Sequence, residues 1–336
     1  MTLLHDIFMT IAERRDYLYE LLVQHILISI SAIVIITIIG VSTGIAILHN
    51  KRLRQVILGT VNFLYTIPSI AMFGLFIPLI GIGFGNALVV LVIYGLLPVI
   101  RNTYTGLNEV NSQLLDAAKG MGATPWQVFS RVRWPLAFPT IVSGFRTMVV
   151  MTIALAGLAS FIGAGGLGQA IYRGINTNNS SLILVGSIAV ALLALAADLG
   201  IGSIENSLKK KSKKTKKSIR LLRYSGIIIL AFLLIFMLLL KPDRSSGRKI
   251  VIATKPTAEQ YILGEIISQL VENNTDIQVI RKFGIGGGTS NIHPAMLKGE
   301  IDIYPEYTGT AWLFVLKENQ INQPDSLYTR LKKAYH

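Results

Sequence analysis

Six stretches of the chain are apolar at almost every position, without the one-sided spacing of a surface helix. Residues 26–48, 56–80, 87–100, 136–162, 182–204 and 226–240 are the six runs, and crossing ~30 Å of hydrocarbon takes about 20 such residues in a helix. The second run is broken by Pro68-Ser69, and the third is lengthened by Phe84 and Gly85. Residues 1–25 differ: Ile7, Phe8, Ile11, Leu18, Leu21 and Leu22 alternate with Glu13, Arg14, Arg15 and Asp16. That mixture predicts an amphipathic helix lying at the membrane interface, and its acidic residues argue against a cleaved signal peptide.

Beyond Lys241 the period changes to that of an α/β domain. The pattern predicts strands at 249–253, 277–281 and 301–304, with helices at 258–271 and 290–297 between them. In such a βαβαβ unit ligands bind beyond the carboxyl ends of the strands, here residues 255–260, 284–291 and 304–310. Two helices start in those loops, and their free N–H groups favour an anion. Tyr304 and Tyr307 stand at the end of the third strand. Two readings are open for them: aromatic faces for a cation, or ordinary core residues.

Composition agrees with a membrane protein. Of 336 residues, 51% are hydrophobic and 15% charged, and mean hydropathy is positive. There is no cysteine, which excludes disulfides, thiolate catalysis and cysteine metal sites. Five dispersed histidines offer no metal-ligand spacing. Residues 284–289 are glycine-rich but lack the lysine of a nucleotide-binding loop. No nucleophile stands beside a base, so no catalytic residue, metal or cofactor is expected in this chain.

The net charge of +14 is concentrated beside the apolar runs. Lys51, Arg52 and Arg54 follow the first; Arg101, Lys119, Arg131 and Arg133 follow the third; Lys209 to Lys217, with Arg220 and Arg223, follows the fifth. The positive-inside rule places these loops in the cytoplasm, and the N-terminus and everything beyond Lys241 outside. For the basic run we expect a topology anchor in contact with anionic lipid, worth about 1 kcal/mol per residue near the surface. Sensing of ionic strength is a further hypothesis there, and a nucleic-acid role is disfavoured by its position between two spans.

Ionisable residues inside the spans are few. Arg146 and Asp198 fall in the cytoplasmic third of the fourth and fifth, where an unpaired charge costs ~2.5 kcal/mol or more. Either they pair or face a common aqueous path, or Arg146 reaches the headgroups by itself. Pro68, Ser69 and the glycines of 163–168 interrupt helices, which fits the wall of a path or close packing through small residues.

Residues 108–135 form a polar hairpin between the third and fourth spans. Leu114, Ala118 and Met121 recur at helical spacing, Gly122 suits a left-handed cap, and Thr124-Pro125-Trp126-Gln127 supplies an N-cap, a first-turn proline and a capping-box glutamine. Trp126, Phe129 and Val132 are expected to share one apolar stripe.

The run Asp116-Ala117-Ala118, then Gly122, then Val132-x-Trp134-Pro135 resembles the cytoplasmic loop of ABC importer permeases, Glu-Ala-Ala-x3-Gly-x9-Ile-x-Leu-Pro, with conservative departures at Asp116, Val132 and Trp134. The resemblance implies a type I ABC importer permease, a polytopic α-helical membrane protein with about six spans. It implies that Asp116, Ala117, Ala118, Gly122, Trp126, Phe129 and Pro135 couple to a separate ATPase subunit that uses ATP and Mg²⁺, and that two permease copies pair. Pro68 and Ser69 also resemble segments of that family near the pathway.

A second resemblance lies in Thr254-Lys-Pro-Thr-Ala-Glu-Gln260, Gly-Gly-Thr-Ser-Asn-Ile-His and Gly299-Glu-Ile-Asp-Ile-Tyr-Pro-Glu-Tyr-Thr-Gly-Thr310. These are similar to the substrate-binding domain of the quaternary-amine uptake family, which handles glycine betaine, choline, carnitine and ergothioneine. It implies that Tyr307 is a cage aromatic, that Gln260, Thr289 and Thr308 are polar contacts, and that Tyr304 is a further candidate.

The resulting division is an amphipathic segment 1–25, a permease domain 26–208, a basic linker 209–223, an additional span 224–241 and an extracytoplasmic periplasmic-binding-protein-like lobe 248–336. Such binding domains have two lobes, and residues 248–336 suffice for the first alone. The expected function is the membrane subunit of an ATP-driven importer. A membrane-anchored receptor without transport and an ion-coupled transporter are the rivals.

Overall fold

A computed structural model describes residues 2–209, 249–321 and 323–335. Helix α1 (Thr2–Glu13) leads into α2 (Arg15–Ala46), then α3 (Lys51–Thr66), α4 (Ser69–Ile80) and α5 (Phe84–Asn108). Short helices α6 (Ser112–Gly120) and α7 (Pro125–Gln127) precede α8 (Trp134–Ala156), α9 (Gly168–Asn176) and α10 (Ser180–Lys209).

Among the described residues four helices are long and apolar enough to cross a membrane, or five if α3 and α4 count as one bent span. The sixth expected span, at 224–241, and the basic linker lie outside the described residues. The interfacial segment at 1–25 is corrected in part: only Thr2–Glu13 is separate, and α2 already begins at Arg15. No proline lies between Arg15 and Ala46, and the first glycine is Gly40, so nothing stops the helix.

Helix α5 is the axis of the bundle, packed between α2 and α8, with α10 on the far side of α8. Small residues permit the closest approaches: a Cβ at Gly40 would meet Val99 Cγ1 at 2.7 Å, and one at Gly44 would meet Thr103 Cβ at 2.6 Å. This Gly-x3-Gly seam lets backbones touch where apolar burial alone gives no drive for helices to associate. The core is filled by Ile28, Ile36, Met72, Phe73, Leu91 and Met148.

The expected interruption at Pro68-Ser69 bends the α3–α4 pair by 101°. Proline cannot donate to the preceding turn, and carbonyls at the bend and along α4 accept from side chains of α5. Tyr94 donates its hydroxyl to the Ile67 carbonyl. Asn86, fully buried, donates to Phe73 O at 3.1 Å and Gly81 O at 2.8 Å.

In the carboxyl-terminal lobe, β1 (Lys249–Ala253) pairs in parallel with β2 (Gln278–Lys282), Lys249 opposite Gln278. Helices α11 (Ala258–Asn274), α12 (Thr289–Leu297), α13 (Thr308–Thr310) and α14 (Pro324–Tyr335) surround them. The expected third strand is reduced to one parallel bridge, Ile252 with Ile303. The Asp302 carboxylate takes the Val251 N–H at 2.7 Å, and Pro305 ends the ladder by having no N–H to give.

The lobe packs on the end of the bundle where α5 begins. Glu300 accepts from Ile82 N at 3.1 Å, Gly286 N donates to Phe161 O at 2.9 Å, and Gln169 donates to Phe283 O at 3.3 Å. Ile285, Ile292 and Ile301 join the same buried cluster as Ile82 and Ile162. Arg173 lies between the rings of Tyr17 and Tyr261, 5.4 and 5.3 Å from their centroids. The hairpin, which follows Asn108, sits at the opposite end of α5.

Candidate functional site

The hairpin is built as a rigid corner. At the end of α6, Gly122 has φ 81; its N–H reaches Lys119 O at 2.9 Å and the Ala123 N–H reaches Ala118 O at 3.1 Å. This is a Schellman turn, and only glycine takes that conformation without strain. Thr124 then forms the full capping box with Gln127, with Pro125 in the first turn. One end of the corner is therefore fixed by backbone hydrogen bonds and the other by side chains bonded to the backbone.

Its packing differs from the expected single stripe. Leu115, Ala118 and Val128 are buried together, with Val132 against them. Phe129 packs on Leu107, Ala137 and Ile141, because residues 128–133 widen into a π-helical turn that rotates them inward. The outward apolar groups are Trp126, 72% exposed and stacked on Phe129 at 5.9 Å, Met121, 83% exposed, and Leu114, 50% exposed. Asp116 and Ala117 are exposed, Asp116 paired with Lys119 at 3.0 Å. Pro135 starts α8.

Arg146 and Asp198 do meet, through two parallel bonds of 2.6 and 2.7 Å. A third partner escaped the sequence reading: Arg146 Nη1 reaches Glu205 Oε2 at 3.1 Å. Glu205 lies seven residues after Asp198, two helical turns on the same face, which is the signal that could have found it. The three line a cleft of about 560 Å³ with Ser143, Thr147 and Met151. Pro68 and Ser69 lie apart from it, at the α3–α4 bend.

In the lobe, Glu306 links three of the strand-end loops. Its carboxylate pairs with Lys255, accepts the Thr289 hydroxyl at 2.7 Å and accepts the Tyr307 N–H at 2.7 Å. The Lys255 ammonium lies over the Tyr307 ring, 4.8 Å from its centroid. Tyr307, 42% exposed, donates its hydroxyl to Glu259 at 2.5 Å, and that bond holds the Glu259 carboxyl below its ordinary range.

Gln260 is fully buried, and neither of its amide atoms has a hydrogen-bond partner. Tyr304 is turned to His293, whose Nδ1 is 3.1 Å from its hydroxyl; burial pushes that phenol up to about 12. Thr308 is exposed at the start of α13. Thr289 and Tyr307 are thus brought together through Glu306, with Tyr304 directed elsewhere. Lys255 and Glu306 were missed as a pair, although a lysine two residues beyond β1 and a glutamate between two tyrosines mark them.

Comparison with known proteins follows this division. Residues 25–210 match the family described as binding-protein-dependent transport system inner membrane component, and residues 248–336 match the substrate binding domain of ABC-type glycine betaine transport system. The ergothioneine transport permease/ergothioneine binding protein EgtU of Helicobacter pylori (strain G27) is 46% identical over 307 residues, 90% of this chain and 55% of the relative. The chain thus spans about half the length of that relative. The carnitine transport permease protein OpuCB of Listeria monocytogenes is 39% identical over 60% of this chain and 90% of its own length.

Among solved structures, the inward-facing MetNI methionine ABC transporter superposes with a TM-score of 0.53 at 22% identity, over 57% of this chain and 96% of the matched one. That likeness establishes the fold of an ABC importer membrane subunit. The chain belongs to the family of inner-membrane components of binding-protein-dependent transport systems.

Proposed function

We propose that this chain is the permease subunit of an ATP-driven importer for trimethylammonium solutes, the class of glycine betaine, choline, carnitine and ergothioneine. One observation carries the reading: α5 joins a capped corner with exposed apolar knobs at one end to a lobe with paired charges on an aromatic face at the other. The relatives at 39–46% identity are named for transport of ergothioneine and carnitine, which supports the substrate class.

In this reading Trp126 and Met121 seat in a groove on a separate ATPase subunit, and a second copy of the chain completes the path. Asp116, Ala117, Ala118, Gly122, Phe129 and Pro135 hold the corner in shape. ATP and Mg²⁺ belong to the partner. The hairpin faces the cytoplasm, the N-terminus and the lobe face outward, and the basic residues that border the spans contact anionic lipid. Motion of the hairpin is passed along α5 and α8 to the bend at Pro68-Ser69 and to the cleft at Arg146 and Asp198. A proline break with its own polar staples suits a moving wall, and the intramembrane ion pair ties α8 to α10 so that they move together.

Coexpression with the cognate ATPase, purification as one complex and reconstitution into proteoliposomes test this. Accumulation of labelled glycine betaine that depends on nucleotide is the expected result. Ligand binding with no ATPase retained would make the chain a receptor, and accumulation without nucleotide would make it a secondary transporter.

A further inference from the structure

Helix α8 carries opposite chemistry on its two sides. Ser143, Arg146 and Thr147 line the polar cleft with Asp198, whereas Trp134, Phe138 and Val142 line a second cleft of about 580 Å³, walled also by Val41 of α2 and Ile201 of α10. At about 3.6 residues per turn the two sets fall on opposite faces of the helix. The second cleft offers almost nothing polar. The hydroxyls in its wall belong to Thr37 and Ser42, and both are spent on carbonyls of their own helix, those of Ile33 and Ile38. Ile38 and Ile204 on its rim are exposed, so the cleft opens sideways.

Its depth and its mouth say what covers it. The lining comes from the last turns of α2 and α10 and the first turns of α8, so the cleft lies at the hairpin end of the bundle, at the level of one leaflet. Trp134 and Phe138 stand at that end, 6.3 Å between ring centroids, as aromatic groups do where hydrocarbon meets water. Arg131 and Arg133 come just before Trp134, in the last turn of the π-helical segment. Arg131 is exposed. Arg133 spends its Nε on the Leu107 carbonyl at 3.0 Å, and among the described residues neither guanidinium meets a carboxylate. A second copy of the chain is needed on the other face of α8, where charges at depth cannot be left to hydrocarbon.

We propose that the apolar cleft seats one acyl chain of an anionic phospholipid, with the lipid phosphate held by Arg131 and Arg133. An apolar wall open to the side, an aromatic boundary and two cations beyond it match an amphiphile with an anionic head. This is a discrete site rather than a general attraction of basic loops to the surface. A lipid in it braces the root of α8 against α2 and α10, next to the corner that α8 carries. The proposal is independent of which solute the chain transports and of how the outer lobe binds it.

The test uses tryptophan fluorescence of the full chain in nanodiscs. The chain has three tryptophans, and Trp126→Phe with Trp312→Phe leaves Trp134 as the reporter inside the cleft. Phosphatidylglycerol or phosphatidylcholine brominated on the acyl chains is titrated into plain phosphatidylcholine. Brominated phosphatidylglycerol is expected to quench Trp134 at about one fifth or less of the mole fraction that brominated phosphatidylcholine needs, the scale of one arginine near the surface. Arg131→Gln with Arg133→Gln should bring the two lipids level while both still quench. If that double variant does not insert, Arg131→Gln alone, at an exposed position, should lower the preference at least twofold. As a control, Trp134→Phe with Ile30→Trp moves the reporter to an exposed site on α2 outside the cleft, where no preference is expected. Equal quenching of Trp134 by the two lipids, a preference unchanged without the arginines, or the same preference at position 30 overturns the proposal. Quenching by neither lipid also overturns it, because protein, either residues 226–240 or a second copy, then covers the cleft.

Discussion

At the Asn108 end of α5 large apolar groups are exposed beside charged ones, and the polar atoms of Thr124 and Gln127 are spent on shape. The Schellman turn at Gly122 and the capping box at Thr124 fix the corner from which Trp126 and Met121 project. At the Phe84 end the reverse holds. Apolar groups such as Ile285 and Ile301 are spent on packing, and the polar groups Lys255, Glu306 and Glu300 are paired with one another or with a backbone N–H. A contact that transmits force needs knobs held in one geometry, whereas charges held away from water need partners. The cleft between them shows a third solution: Arg146 is forked onto two carboxylates at once, an arrangement made for holding together.

The comparison breaks most visibly at the hairpin. Gly122 has open space around a built Cβ, so a substitution there acts through backbone strain alone, roughly 1–2 kcal/mol for an L-residue in the left-handed region and more for a β-branched one. Gly122→Val should reduce nucleotide-driven uptake at least tenfold with membrane insertion intact, and Gly122→Ala should reduce it less. Equal, full uptake in both variants would show that the corner's shape is not used. Trp126→Ala should lower ATPase retention during purification by about tenfold, the scale of a truncated aromatic anchor.

The cleft comes next. Because Arg146 and Asp198 are each about a third exposed, the cost of breaking the pair is discounted, to about 1–3 kcal/mol for Arg146→Gln. Thermal unfolding of Arg146→Gln, Asp198→Asn and the double variant should give a coupling energy of ~1 kcal/mol or more. Additive effects would mean that the pair carries no stability. At the lobe end, Glu300→Gln removes the charge from the acceptor of the Ile82 N–H, about 1 kcal/mol. Proteolysis should then release the lobe from the bundle more readily than in the wild type.

The smallest effect is on acid stability of the lobe. Arg281 bonds to Glu272 at 2.6 and 2.7 Å and holds that carboxyl below its ordinary 4.5. A depressed folded value means that the unfolded chain binds the proton more readily. The contribution is therefore complete above about 4.5 and is lost as pH falls through the folded value. Unfolding followed from neutral to acid pH should show this loss, and Arg281→Gln should flatten it.

Much of the architecture is legible in the sequence because each element is signalled more than once. The apolar runs give the spans, Pro68 gives the bend, and Thr124-Pro125-Trp126-Gln127 gives the start of α7 before any contact is known. The Arg146–Asp198 pair is one of the two outcomes that the cost of a lone charge at depth left open, the other being Arg146 reaching the headgroups. What failed was decided by a local departure from the regular helical period or by groups distant in sequence. Phe129 and Val132 turn inward because a π-helical turn breaks the regular period on which the stripe was read. The third strand shrinks to a bridge because the Asp302 side chain competes for the Val251 N–H. Lys255 and Glu306 lie 51 residues apart, and only the parallel register of the lobe brings them together.

The account stands on energy entering at one face of the membrane and ligand at the other. The chain has no cysteine, so Met121→Cys in the hairpin and Tyr328→Cys on α14, both at exposed positions, can be labelled singly with a membrane-impermeant maleimide on intact cells. Reaction at position 328 in intact cells, and at 121 only after permeabilisation, is the expected result. Labelling of position 121 in intact cells would contradict it.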